Sequence, residues 1–165
     1  MFKSKLALVA GVLAIGVSTV GMAATFTGST AIQLTATIPP AEFQIGPDDI
    51  TFGGSAPVAM SYDVANGSLS DIVRRYQFKT SASSIKAYID GGPAFLSNGN
   101  PAQKIPLSTK FNNIELTGAS LEVVPVATAV AGGSANLVIS AGTFPAGATG
   151  DYTSSYTVMF ENIAP

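Results

Sequence analysis

The side chains that could do chemistry in this chain are few. Its 165 residues include no His, no Cys and no Trp. Neither a nucleophile–imidazole pair nor a thiolate nucleophile can be assembled, and a zinc site of the Cys and His type is ruled out. Three short constellations remain. Asp48-Asp49 could act as acid–base carboxylates or hold calcium. Adjacent strand residues point to opposite faces, however, and neither a calcium-loop spacing nor a further acidic cluster accompanies them, so a solvated turn is the better reading. Arg74-Arg75 could contact an anion or a glycan; the same divergence applies, and exposed charge that blunts a sheet edge is the commoner use of such a pair. Asn66-Gly67-Ser68 matches a glycosylation sequon, and its residues are also turn formers. The expectation is a protein that is not an enzyme, with no catalytic, metal or cofactor site.

The elements that carry these residues read as strands and turns. Seventeen Gly and ten Pro suit one domain of many short strands. Lys3 and Lys5 precede the apolar run Leu6 to Val20 and the small residues Gly21 to Ala24, the pattern of a secretory signal peptide over residues 1–24, cleaved after 23 or 24. The run is interrupted by Gly11, Gly16, Ser18 and Thr19 and has no stop-transfer charges after it, which argues against a membrane anchor. Without Lys3 and Lys5, six basic residues face ten acidic ones, a formal charge of −4. A mildly acidic, sparsely charged surface argues against nucleic acid or an anionic membrane as a partner.

Residues 25–38 form the first expected strand. Phe26, Ile32, Leu34, Ala36 and Ile38 lie in one phase, and Thr25, Thr27, Gln33, Thr35 and Thr37 in the other, which is period-two alternation. Pro39-Pro40 stops it, because neither residue has an amide hydrogen and each fixes its own φ; the pair is expected to be a hinge. Such an isolated strand either folds back on its own domain, 39–165, or is given to another molecule.

Further strands are expected at Glu42 to Ile45, Asp49 to Phe52, and Pro57 to Tyr62, the last with Val58, Met60 and Tyr62 on one face, and a turn at Asn66-Gly67 follows. Asp71 to Thr80 carries Ile72, Tyr76 and Phe78 on one side with Arg74 between them, and Ser84 to Asp90 alternates Ile85, Ala87 and Ile89; the two read as a central pair. After turns at Asp90 to Pro93 and Asn98 to Pro101 come strands from Lys104 to Phe111 and on to Leu116, with a turn at Asn112-Asn113 between them. Pro125 makes Leu121 to Ala127 an edge or bulged strand. Ala135 to Ala141 and Asp151 to Ile163 follow, the latter with Tyr152, Tyr156, Val158 and Phe160 sharing a face. Seven or eight strands at this spacing, with no convincing helix, predict an all-β, immunoglobulin-like sandwich.

Four stretches carry a family resemblance: Ile32, Leu34, Ala36 and Ile38 followed by proline; Val58-Ala-Met-Ser-Tyr62; Leu137-Val-Ile-Ser-Ala141; and Gly150-Asp-Tyr152 with Val158-Met159. In their order and in its cysteine-free composition the chain resembles the major subunits of class 5, CFA/I-like chaperone–usher fimbriae. The resemblance implies an incomplete sandwich lacking one strand, polymerised by donor-strand exchange into a fimbrium at the bacterial surface that supports adhesion. Ile32, Leu34, Ala36 and Ile38 would be donor side chains, with Phe26 adding to them, and Tyr156, Val158 and Phe160 would line this subunit's own acceptor groove. The implied partners are neighbouring copies of the chain, a periplasmic chaperone, an outer-membrane usher and a tip adhesin.

A second class stays open beside this one: a monomeric secreted β-sandwich adhesin whose first strand folds in cis. Tip adhesins of this kind carry a binding domain ahead of the pilin domain. The roughly 141 residues left after cleavage are short for two typical domains, which favours a shaft subunit.

Overall fold

The structure is a computed structural model that describes residues 42–54 and 56–163. The expected signal peptide, the strand at 25–38 and the Pro39-Pro40 hinge lie outside the described residues. In chain order the elements are β1 (Phe43–Pro47), β2 (Tyr62–Asp63), β3 (Ser68–Leu69), β4 (Ile72–Thr80), β5 (Ser84–Ile89), β6 (Phe95–Leu96), β7 (Ile105–Phe111), β8 (Ile114–Glu115), β9 (Leu121–Val124), α1 (Val126–Ala131), β10 (Gly133–Ala141) and β11 (Val158–Ile163). One sheet runs β1-β4-β10-β7-β6 with β8 added on β7; a second runs β11-β5-β9; β2 and β3 form a separate ribbon. All pairings are antiparallel. The predicted all-β, immunoglobulin-like sandwich is the fold observed.

Alternation decides which faces meet. Along β4, Val73, Arg75, Gln77 and Lys79 are exposed while Ile72, Arg74, Tyr76, Phe78 and Thr80 turn inward. In β10 the register sets Ala135 opposite Tyr76, Leu137 opposite Arg74 and Ile139 opposite Ile72, so one face of the large sheet is continuous. Ile85, Ala87 and Ile89 of β5 are buried, together with Val123 and Val124 of β9 and Phe111 of β7, in one cluster between the sheets. Each large side chain fully buried there contributes about 1.5–3 kcal/mol. The β7–β8 hairpin closes through Asn112 and Asn113 at φ 51° and 64°, the left-handed pair that two-residue hairpins favour and that Asn tolerates. Asn112 also donates from its side chain to the Val123 carbonyl at 2.7 Å, tying the hairpin to the other sheet.

Several sequence expectations need correction. Ile72–Thr80 and Ser84–Ile89 are central strands, but of different sheets, so they face rather than pair with each other. Both alternate, and alternation reports a buried face without naming the strand alongside. Asp49 to Phe52 is a turn: the Asp49 carboxylate accepts from the Thr51 amide at 3.0 Å and from its hydroxyl at 2.6 Å, which competes with a ladder. Pro57 to Ser61 is not strand, and only Tyr62–Asp63 pairs, with Ser68–Leu69. Pro125 ends β9 and stands at the N-cap of α1, because the ring that cannot donate to a ladder is tolerated at a helix start. That six-residue helix was not expected; Ala129 is its buried contact, and Gly132 at φ 79° ends it. In the final stretch only Val158–Ile163 is strand, and the Tyr152 hydroxyl lies 3.2 Å from Asn98 Nδ2 rather than beside Tyr156.

Candidate functional site

The three-stranded sheet has β11 at one end of its order, paired with β5 alone among the described strands. Its register sets Val158 opposite Ile89 and Phe160 opposite Ala87, both buried partners, so alternate side chains of β11 point toward the interior. Yet Tyr156, Val158 and Phe160 are only partly buried. The same holds for Phe43 and Ile45 of β1, for Phe52 in the turn after it, and for Tyr76 and Ile139, all packed against the buried cluster. These side chains join the core without being covered by it.

Ring contacts connect this half-covered row. Phe52 meets Tyr76 edge-on at 6.4 Å between centroids, Tyr76 lies 5.6 Å from Phe160, and Phe160 meets Phe111 at 5.0 Å. Pro47 of β1 is the register partner of Tyr76. An apolar strip therefore reaches from the β1 end of the large sheet to β11 of the small one. Its polar tips are two phenols and one guanidinium. The Tyr156 hydroxyl shares a 2.9 Å hydrogen bond with Thr109 Oγ1. Burial pushes the Tyr156 phenol above the usual tyrosine range, and the Thr109 bond lowers it in part. Tyr76 is raised as well, first by burial and then by the neighbouring Tyr156 charge.

Arg74 and Arg75 diverge as adjacent strand residues must. Arg75 lies on the outer face with Nε 3.6 Å from Asp48 Oδ2. Arg74 turns inward with its guanidinium 5.3 Å from the Phe52 ring centroid, and its Nη1 donates to the Val73 carbonyl at 3.0 Å. The idea that this pair blunts an edge is overturned, because β4 is flanked by β1 and β10. Asp48 and Asp49 lie in a turn as expected; Thr51 holds the Asp49 carboxyl below its ordinary range, with the Arg74 charge a lesser contribution. Asn66 and Gly67 also form a turn, in which the Asn66 amide donates to Asp63. The described residues contain no group of three His, Cys, Asp or Glu side chains that could hold a metal ion.

The structure brings Tyr156, Val158 and Phe160 together with one another and with the core; the anticipated donor residues lie outside the described residues. Sequence reasoning missed Phe43, Ile45, Phe52, Tyr76 and Arg74 as parts of the same strip. Phe43 and Ile45 carry the period-two signal in a short strand. Phe52 sits in a turn, where periodicity is silent, and only the tertiary fold sets it against Tyr76.

Comparisons with known proteins bear on this arrangement. The family model described as CS1 type fimbrial major subunit matches residues 29–161. Among solved structures, the CooA pilin subunit from enterotoxigenic Escherichia coli is similar with a TM-score of 0.57 and 17% identity, over 73% of this chain and 87% of that one. At that identity the likeness speaks for the fold alone. No curated protein matches the chain.

Proposed function

The chain belongs to the CS1 type fimbrial major subunit family, a structural subunit of a surface fimbrium built with copies of itself, and from that premise we propose that it polymerises by donor-strand exchange. Residues 25–38 of one subunit insert beside β11 of the next, with Ile32, Leu34, Ala36 and Ile38 in the groove and Phe26 adding cover. Tyr156, Val158 and Phe160 line the acceptor side, and Phe43, Ile45, Phe52 and Tyr76 complete the wall. Pro39-Pro40 is the hinge that lets the strand leave its own domain 39–165 after cleavage of the 1–24 signal peptide. A periplasmic chaperone holds the groove before an outer-membrane usher exchanges it for the donor strand, and a tip adhesin completes the fibre.

The observation that carries this reading is the half-buried row on β11, at the end of a sheet whose central strand keeps Ile85, Ala87 and Ile89 covered. A strand added there gains a backbone ladder and buries apolar side chains on alternate positions, the mode of recognition known as β-augmentation. Ile32, Leu34 and Ile38 would contribute on the order of 1.5–3 kcal/mol each if fully covered. A slip of one residue would turn threonines inward, so the register is specified.

Leu34→Asp tests the reading. An unpaired buried carboxylate is unfavourable by several kcal/mol, enough to offset most of the apolar gain of its neighbours. The variant keeps its own groove, so it should accept a wild-type strand yet fail to donate, and mixed fibres should shorten in proportion to its share, as seen by electron microscopy. Thr35→Asp, in the opposite phase, should shorten them far less. Normal fibres from Leu34→Asp alone would refute donation in trans. So would an unfolded Leu34→Asp monomer that a wild-type 25–38 peptide cannot rescue, because the strand would then be serving its own domain.

A further inference from the structure

Arg74 is out of place in the strip described above. It lies on the inward face of β4 between Ile72 and Tyr76, opposite buried Leu137, and Leu137 is in turn opposite Phe111. Its Nε is buried and, among the described residues, is the one buried side-chain polar atom without a hydrogen-bond partner. Its Nη1 reaches only the carbonyl of its own neighbour, Val73. Asp49, the carboxylate its charge acts on, is occupied by Thr51. Buried polar groups are normally satisfied, and one that is not calls for an explanation.

The expected donor segment has a matching irregularity. In its inward phase Ile32, Leu34 and Ile38 are large, while Ala36 alone among residues 32–38 is small and is flanked by large residues on both sides. The acceptor wall along β4 has the same period and one polar, long residue between two apolar ones: Ile72, Arg74, Tyr76. Resting on the donor-strand reading, we propose that Arg74 sets the register of the incoming strand by receiving Ala36 of a second copy. Leu34 and Ile38 then meet Tyr76 and Ile72 in whichever direction the strand runs. Ala36 has no atom beyond Cβ, so the strand's backbone comes close enough for Arg74 Nε–H to donate to one of its carbonyl oxygens. A two-residue slip keeps the apolar phase but sets Leu34 or Ile38 on the guanidinium, overpacking it and leaving Nε without an acceptor. Period-two alternation cannot discriminate between such slips by itself. The mismatch of one arginine and one alanine can.

The test uses synthetic 25–38 peptides and the full mature chain, with binding read by fluorescence anisotropy. An Ala36→Leu peptide should bind the wild-type subunit roughly tenfold or more weakly than the natural sequence, the usual scale of overpacking. An Arg74→Ala subunit, with room for the larger side chain, should lose or invert that preference; Arg74→Val, a good strand former, should do the same and serves if the alanine variant does not fold. A Thr30→Val peptide should bind within about twofold of the natural one, because Thr30, the one polar side chain in this phase, does not meet Arg74 in this register. Equal discrimination by all three subunits, or a strong loss with Thr30→Val, would overturn the assignment of Arg74 while leaving strand donation intact. If no peptide binds any subunit, the donor-strand reading fails and this inference fails with it.

Discussion

Truncating Phe160 separates what this ring does for its own subunit from what it offers to a neighbour. Its centroid lies 5.0 Å from Phe111 and 5.6 Å from Tyr76, and its register partner is the buried Ala87. A fully buried Phe→Ala costs about 3–5 kcal/mol in transfer and cavity terms. The ring is only partly buried, so Phe160→Ala should destabilise the isolated subunit by about 2 kcal/mol, with about 1–2 kcal/mol left for the surface an inserted strand covers. Two measurements check this. Urea unfolding of the mature subunit should show the first loss as a lower midpoint at unchanged slope. Titration with the 25–38 peptide should show the second as roughly 5- to 30-fold weaker binding. Unchanged peptide affinity in a destabilised subunit would refute the reasoning, because Phe160 would then be a core residue and the β11 row would not be the seat of the strand. A subunit loss above about 4 kcal/mol would refute it from the other side, since the ring would already be covered in full.

Three further outcomes follow from the same geometry. Thr109 is 1% exposed and bonded to the Tyr156 hydroxyl, so Thr109→Val should cost about 1 kcal/mol and the double variant with Tyr156→Phe less than the sum, as a double-mutant cycle in urea would show. The phenols of Tyr76 and Tyr156 are raised above 10.0, chiefly by burial. The unfolded chain thus releases those protons first, so their contribution to stability is complete below about pH 10 and falls as pH rises above it; Tyr76→Phe with Tyr156→Phe should flatten that alkaline limb in thermal melts. A Cβ at Gly142 would stand 2.8 Å from Pro106 Cγ and 3.2 Å from its carbonyl oxygen. The ring cannot swing aside, so Gly142→Ala should cost about 1–3 kcal/mol, whereas Gly46→Ala, with nothing within 4 Å, should not show this steric loss.

The sequence by itself determined the class of fold. Alternation in Asp71 to Thr80, Ser84 to Asp90 and Lys104 to Phe111 is a local property, set by which side chains must leave water, and it survives into the burial of β4, β5 and β7, while in Ala135 to Ala141 it holds only as far as Leu137. Tyr156, Val158 and Phe160 were legible as one face for the same reason, whereas Tyr152, read onto that face, bonds Asn98 instead. The lack of His and Cys likewise removed the nucleophile–imidazole and thiolate chemistries by composition alone. Only the tertiary structure decided which strands lie side by side, because a buried face looks the same whether its neighbour is hydrogen-bonded or stacked across the core. The two best-patterned early strands were expected to pair and instead face each other from separate sheets. Local polar competition likewise outweighed pattern where Asp49 captured Thr51 and turned an expected strand into a turn. Arg74 shows the limit most plainly. Its inward phase could be read from spacing, but its unmatched Nε exists only once β10 and Phe52 are packed around it, and burial of a polar atom is a property of the assembled fold rather than of any stretch of chain.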